Sequence, residues 1–321
     1  MSDERSEQTP GVSVVIPARN AAATLGRVLA ALEHQDLDAA FETIVVDNGS
    51  TDATRAVAEA APLDVRLAHG LGLGPGSARN TGAALAQGDV IAFLDADCLP
   101  TQGWLREGLA ALAELDFVQG RVEAEPGVAI GPFDHTVWVT RRSALYETAN
   151  VLVRRELFER LGGFEDWLAT GPGRPFGEDV WFGWRASRRG ARMGFAERSV
   201  VHHVVVPRGP RAYIAERARL RWFPETVRKV PELRREFLRL GVFLTPRSGR
   251  FDLAVAGGVA AAVTRSALPL AGSLPYVLEI GRIALPHRRN APRVAGVEIA
   301  ADALGLAALA LGSIRARSLV L

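Results

Sequence analysis

Cysteine is almost missing from this chain: Cys98 is the only one in 321 residues. A single thiol excludes an intramolecular disulfide framework and a cysteine-rich zinc site. Lysine is equally scarce, with Lys229 alone, so arginine carries nearly all the positive charge. Its planar fork favours paired hydrogen bonds to phosphate and carboxylate. There is no low-complexity run, and 48% apolar against 23% charged residues excludes disorder as the main state. Residues 1–10 are polar and acidic with no apolar run, so they read as a disordered tail and no secretory signal is expected. A cytoplasmic setting fits both features.

The formal net charge of +2 conceals a strong polarity along the chain. From Arg185 to Arg250 there are 17 basic residues against 5 Glu, a local +12, which leaves −10 for the remainder. Such a segment suits an anionic membrane surface or a phosphorylated substrate. No nucleic-acid-binding module accompanies it, so nucleic acid is not the expected partner.

From Val12 onward, short β-branched runs alternate with helical periodicity. Strands are predicted at Val12–Pro17, Thr43–Val46, Val65–Ala68 and Val90–Leu94. Helices are predicted at Thr24–Glu33, Asp52–Ala60 and Ala78–Gln87. This alternation predicts an α/β fold, a mostly parallel sheet flanked by helices. Ligands of such sheets gather beyond the carboxyl ends of the strands. A helix near Leu105–Leu115 follows, then strands at Phe117–Val122, Ala149–Arg154 and Val200–Val206, with helices at Arg155–Leu161 and Asp179–Arg189.

After Arg250 the composition shifts to Ala, Leu, Gly and Val. Leu253–Thr264, Ser266–Leu278 and Ala303–Ile314 are uncharged runs, each shorter than the ~18–20 residues that span a bilayer. The first two reach that length only if joined across Arg265, at a cost of about 2.5–3.5 kcal/mol for a central arginine. An interfacial helical pair or a packed hairpin are the alternatives. The expected organisation is therefore a catalytic α/β domain over 11–205, an arginine-rich helical segment over 206–250, and an apolar helical region over 251–321 that associates with a membrane.

Asp95-Ala96-Asp97 directly follows the apolar run Val90–Leu94. Two carboxylates at i and i+2 past a buried strand can share a hard divalent ion, which keeps positions open for substrate phosphates. Around this pair stand Val14-Val15-Ile16-Pro17-Ala18-Arg19-Asn20, Ile44-Val45-Val46-Asp47-Asn48-Gly49-Ser50-Thr51-Asp52 and Ala78-Arg79-Asn80-Thr81-Gly82. Gly88-Asp89, Gly162-Gly163-Phe164 and Gly177-Glu178-Asp179 complete the set. In this order the chain resembles a family-2 glycosyltransferase with a GT-A (Rossmann-like) fold over residues 11–205. Residues 251–321 lie outside the shared pattern.

The resemblance implies roles for particular positions. Pro17, Ala18, Asn20, Asp47 and Asn48 would line the nucleotide pocket, with Asp47 accepting a hydrogen bond from the base. Arg79 would face the diphosphate. Asp95 would hold ribose or metal-bound water, and Asp97 a divalent ion, Mn²⁺ or Mg²⁺. Asp179 would be the general base toward an acceptor hydroxyl, with Glu178 orienting the acceptor, and one base with direct displacement means inversion. One of His202 and His203 would complete the metal shell. Adjacent strand residues face opposite ways, so only one can reach it, and His202 is the expected one.

Other features carry less. Gly70–Gly76 reads as a flexible connection, since a dinucleotide fingerprint belongs between the first strand and first helix. Trp181, Trp184 and Arg185 are expected mainly in packing. Arg219-Leu220-Arg221-Trp222 resembles an element of processive synthases but lacks its leading glutamine, which favours single transfer. The expected function is a metal-dependent inverting transfer of one sugar from a nucleotide-diphosphate donor to an acceptor hydroxyl, lipid-linked or membrane-proximal, on the inner face of the cell membrane. A sugar nucleotidyltransferase and a non-catalytic nucleotide-sugar-binding or membrane scaffold protein are the alternatives. UDP, GDP and dTDP donors are not separable from sequence, nor is the oligomeric state.

Overall fold

The computed structural model describes residues 10–165, 167 and 176–321. Most of the tail predicted at 1–10 and most of the glycine- and proline-rich loop before Gly177 lie outside the described residues. The chain divides into two compact units. The first takes the chain up to Ala129 and Thr136–Val205, and the second takes Ile130–His135 and Val206–Leu321.

The first unit opens with β1 (Val12–Ala18), α1 (Leu25–Glu33), β2 (Phe41–Asp47), α2 (Thr54–Glu59), β3 (Val65–His69), α3 (Pro75–Ala83) and β4 (Val90–Leu94). It continues with β5 (Cys98–Pro100), α4 (Trp104–Leu112), β6 (Phe117–Ala124), β7 (Asn150–Arg154), α5 (Arg155–Leu161), α6 (Glu178–Arg188) and β8 (Met193–His203). Valine and isoleucine fill the centres of β1 and β2, and Ile91, Ala92 and Phe93 that of β4; all three are buried on both faces, as strands covered by helices on either side must be. Helix α1 buries Leu25, Val28, Leu29 and Leu32, the i, i+3, i+4, i+7 stripe of an amphipathic helix. Helix α3 lies close on β1 because Gly82 has no side chain: a Cβ there would stand 2.4 Å from Val15.

The eight strands form one sheet in the order β3-β2-β1-β4-β7-β6-β8-β5. Strands β3, β2, β1 and β4 are parallel neighbours, and β6 is parallel to β8. The expected mostly parallel sheet thus holds, with three antiparallel pairings added: β7 against β4 and β6, and β5 against β8. Strand β5 was not anticipated, being three residues long, and β8 begins earlier than the predicted Val200. Both owe their pairing to distant partners rather than to local pattern.

The second unit is helical: α7 (Pro210–Glu216), α8 (Phe223–Lys229), the single turn α9 (Leu233–Glu236), α10 (Pro246–Thr264), α11 (Leu274–Ala284) and α12 (Ala291–Ala316). Short 3-10 segments at Arg217–Trp222, Leu268–Ser273 and Leu285–Asn290 join them. The two apolar runs flanking Arg265 do not fuse into one helix. Helix α10 ends at Thr264, Arg265 takes the left-handed conformation (φ 51°), and Pro269 follows. Among the described residues, Leu268–Ala316 is helical, long and apolar enough to cross a membrane by length and composition, although the 3-10 turns and Arg288 (φ 50°, ψ −113°) break its axis. Helix α12 buries Val294, Glu298, Ala301, Gly305, Ala308 and Gly312 along one face. On that face Arg247 of α10 binds Glu298 and Asp302, each at 2.7 Å, and the Tyr276 hydroxyl donates to Asp302 at 2.7 Å. The inward carboxylates of α12 are therefore neutralised inside the unit.

Candidate functional site

Three parallel strands end at one edge of the sheet, and the motif residues follow them. Ala18 pairs with Asp47 at the ends of β1 and β2, and β4 runs beside β1 to deliver Asp95-Ala96-Asp97. Pro17, Ala18, Arg19, Asn48, Gly74 and Pro75 line a small cleft of about 80 Å³ there. Asn20, in the left-handed conformation at φ 52°, accepts from Thr51 N at 2.8 Å and so ties the loop after β1 to the loop after β2.

Asp47 is buried and accepts from Ser50 N through Oδ1 at 3.0 Å, closing the turn that leads to α2. Asn48 is buried too. Its Oδ1 accepts from Gly72 N at 2.8 Å, and its Nδ2 donates to the Gly74 carbonyl at 3.0 Å. The Gly70–Gly76 segment is consequently tied down, against the expectation of a loose connection. A Cβ on Gly70 would stand 2.6 Å from Asn48 Oδ1, so the close approach depends on that glycine.

Arg79 is 4% exposed on α3, and its Nη2 lies 2.5 Å from Asp95 Oδ1. Its Nε is buried with no hydrogen-bond partner, and the guanidinium carbon sits 5.7 Å from the centre of the Phe164 ring. Phe164 is held there by Asn80, whose Oδ1 accepts from Phe164 N and whose Nδ2 donates to the Phe164 carbonyl, both at 2.8 Å. Gly163 permits that clamp: φ is 72°, and a Cβ would meet Asn80 Oδ1 at 2.5 Å. Two motifs more than eighty residues apart are thus one structural feature.

Asp97 meets a histidine across the β5–β8 pairing. Cys98 is in register with His203, and Leu99 with His202. His203 is buried, its Nε2 lies 3.5 Å from Asp97 Oδ2, and its Nδ1 is 2.7 Å from the Val204 carbonyl. A carbonyl only accepts, so Nδ1 carries a proton and Nε2 is the ring nitrogen that faces Asp97. The histidine that faces Asp97 is His203; the expected His202 points to the other face of β8, as strand alternation requires. Burial, then the Asp95 charge, raises the Asp97 carboxyl above its ordinary value, and His203 opposes the rise.

The cluster of Asp97, Cys98 and His203 brings three ligand-type atoms within 4.8 Å of one another. Burial pushes the Cys98 thiol well up, and Asp95 and Asp97 add to the rise. The carboxylate oxygen and imidazole nitrogen of the cluster suit Mn²⁺ and, through oxygen, Mg²⁺.

Glu178 and Asp179 open α6 directly after Gly177, which is left-handed at φ 71°. Burial and the adjacent Glu178 raise the Asp179 carboxyl well above 3.8. Glu147 adds to this, while Arg79 pulls the other way. One guanidinium therefore acts on carboxylates of both acidic motifs. Glu147 was missed by the sequence reading; it accepts from Gln119 Nε2 at 3.0 Å and carries no motif of its own.

The wall behind α6 is aromatic. Phe182 packs on Phe164 at 4.5 Å and Phe158 at 5.4 Å, and Trp184 packs on Tyr146 at 5.9 Å while donating to the Ala144 carbonyl at 3.0 Å. Arg185 donates to the Leu161 and Gly163 carbonyls and to Glu165, which caps α5 and fastens the Gly162–Glu165 turn to α6. Trp184 and Arg185 thus hold α6 in place. Trp181 donates to Glu165 at 2.8 Å and stacks with Arg185 at 5.8 Å.

Comparison with known proteins agrees with this geometry. The model of glycosyl transferase family 2 matches residues 13–162. The glycosyltransferase AglE of Haloferax volcanii is 32% identical over 216 residues, 62% of this chain and 69% of that protein. The pre-mycofactocin glycosyltransferase of Mycobacterium tuberculosis is 30% identical over 60% of this chain, which spans only 42% of that relative's length. Among solved structures, the mannosyltransferase PcManGT from Pyrobaculum calidifontis, in complex with GDP-Man and Mn²⁺, superposes with a TM-score of 0.63 at 24% identity, covering 94% of this chain and 88% of its own. Fold, strand-end motifs and sequence relatives converge, and the chain belongs to glycosyl transferase family 2.

Proposed function

We propose that this family 2 glycosyltransferase moves a single sugar from a nucleotide-diphosphate donor to an acceptor hydroxyl, with inversion at the anomeric carbon. The observation that carries the reading is the meeting of Asp97 with His203 at the sheet edge where β1, β2 and β4 end. In this reading the cleft at Pro17, Ala18 and Asn48 takes the nucleoside, with Asn20 bracing its rim and Asp47 offering its second carboxylate oxygen to a base N–H. Arg79, which meets Asp95 just past β4, takes the diphosphate.

Asp97 and His203 would hold a divalent ion, with Asp95 reaching it through water or holding ribose. When bound, the ion neutralises charge on the departing diphosphate. Asp179 takes the proton from the acceptor hydroxyl, and its raised pKa makes it a better base near neutral pH than an ordinary aspartate. Glu178 keeps that pKa high and orients the acceptor. Two neighbours of the fold are complexes with nucleotide-diphosphate sugars, GDP-Man with Mn²⁺ and UDP-GlcNAc, which supports that donor class and leaves the base open. The acceptor is taken to be membrane-proximal, on the cytoplasmic side, in keeping with the arginine-rich and apolar segments beyond Val205.

The test uses water as a slow acceptor. Proton NMR of a sugar nucleotide incubated with the Mn²⁺-loaded protein should show the opposite anomer released first, and Asp179→Asn should release none. Release of the donor's own anomer would overturn inversion, and full release by Asp179→Asn would overturn the base.

A further inference from the structure

The second unit exposes apolar side chains where a water-facing helical surface would carry polar ones. Along α10, Val255, Val259 and Val263 face outward at i, i+4 and i+8. Leu268 and Leu270 follow on the 3-10 segment. On α11 the outward residues are Leu274, Val277, Leu278 and, just beyond, Leu285, while Tyr276, Ile280 and Ala284 point into the unit. Helix α11 thus carries apolar residues on two sides, with Glu279 and Arg282 as its two charged residues, and only one side is used for packing. Exposure reaches 77% at Val263, 81% at Leu268 and 71% at Leu285, so these are not core residues showing an edge.

Charge at the rim has one sign. From Leu253 to Leu278 the only charged residue is Arg265, and Arg282, Arg288, Arg289 and Arg293 follow. All five arginines are exposed, and none is in an ion pair among the described residues. The nearby acid, Glu279, is bound by Arg250 at 2.8 Å. A shallow depression of about 530 Å³ here is lined by Arg250, Pro275, Leu278, Glu279, Arg282 and Ile283.

We propose that the α10–α11 hairpin is a membrane-docking face that lies in the headgroup region of an anionic bilayer, with Val263, Leu268 and Leu278 inserted and the five arginines on lipid phosphates. Length argues for lying in the interface rather than crossing it. The 11 residues of α11 make about 16 Å of helix and the uncharged run Leu253–Thr264 of α10 about 18 Å, each well short of the hydrocarbon thickness, and Arg265 breaks the chain between them. Charge argues for lipid rather than a second copy, since two such faces in contact would each bring a set of arginines and few acids, whereas anionic headgroups neutralise them. This deepens the membrane-proximal part of the proposed function, but vesicle binding is read without turnover, so the two readings fail separately.

The experiment is cosedimentation of the full chain with vesicles of phosphatidylcholine alone or mixed with phosphatidylglycerol, alongside light scattering without lipid. The expected result is binding to the anionic vesicles that weakens with salt and falls ~10-fold or more in Leu268→Asp or Leu278→Asp, because an aspartate is costly below the headgroups. Leu240→Asp, at a 90% exposed leucine outside the hairpin, serves as the control and should bind as the parent does. Both hairpin positions are exposed, so melting should confirm that the variants fold. Equal binding by parent and Leu268→Asp would overturn the proposal, as would parent protein that binds neither vesicle. A dimer that Leu268→Asp dissociates, with no vesicle binding, would assign the face to a second copy instead.

Discussion

Arg79 and Asp95 are bound to each other across the mouth of the site, Nη2 to Oδ1 at 2.5 Å, with Phe164 beneath the guanidinium. The side chain proposed to take the diphosphate is therefore held by contacts within the protein. Its position comes from a chain of contacts: Asn80 clamps Phe164, Phe164 supports Arg79, and Arg79 meets Asp95. Preorganisation of this kind saves ordering cost on binding.

Arg79→Ala should weaken donor binding and destabilise the fold by about 1–3 kcal/mol. That is below the range for a fully buried pair, because Asp95 is about a third exposed and water screens it. Arg79→Lys should recover part of the stability but little of the affinity, since lysine lacks the fork. Urea melts and nucleotide titration measure the two effects.

Asn80→Ala removes both bonds to Phe164 and should cost about 1–3 kcal/mol, at about 0.5–1.5 kcal/mol for each bond. Donor affinity should fall although Asn80 is given no contact with the donor. An unchanged nucleotide affinity would show that the clamp on Phe164 does not position Arg79.

Asp179 links function to stability through its proton. A carboxyl raised on folding above 3.8 binds protons more readily in the folded state, so its contribution to stability falls as pH rises from 3.8 through the folded value, then levels off. Asp179→Asn removes that loss. The variant should melt higher than the parent at neutral pH, with the difference vanishing below pH 3.8, while transfer is lost and nucleotide binding survives.

The acid limb of the transfer rate reports the same group, because the base works only when deprotonated. Glu178→Gln removes the neighbouring negative charge that helps raise Asp179 and should move that limb to lower pH. A limb that stays in place would place the titration elsewhere.

The two histidines make a sharper pair of variants. His203→Ala should abolish the metal dependence of nucleotide binding, whereas His202→Ala should leave it within about twofold, since side chains on opposite strand faces cannot share a ligand. Calorimetry with and without Mn²⁺ distinguishes them.

What the sequence shows and what it hides follow one physical line. The β1, β2 and β4 cores and the motifs after them are local patterns, a buried apolar run followed by chemistry, and they were legible. The choice between His202 and His203 was not, because it depends on the register of β8 against β5, a strand too short to foresee. Asn80 and Phe164 stand in two separate motifs of the sequence, and their contact is a tertiary fact. Glu147 sits in no pattern, and only its closeness to Asp179 gives it a role. Asn48 was placed correctly at the strand end, yet its amide is spent on Gly72 and Gly74, which a flexible reading of that loop had missed. Arg265 breaking the apolar stretch is likewise a backbone outcome that composition left open.

The most direct test of the central claim is calorimetric titration of the protein with UDP, GDP and dTDP, each with and without Mn²⁺, on the parent and on Asp97→Ala. The account predicts metal-dependent binding of one nucleotide diphosphate that Asp97→Ala weakens strongly. A folded parent that binds none of them, or binds one equally well with and without the metal and Asp97, would contradict it.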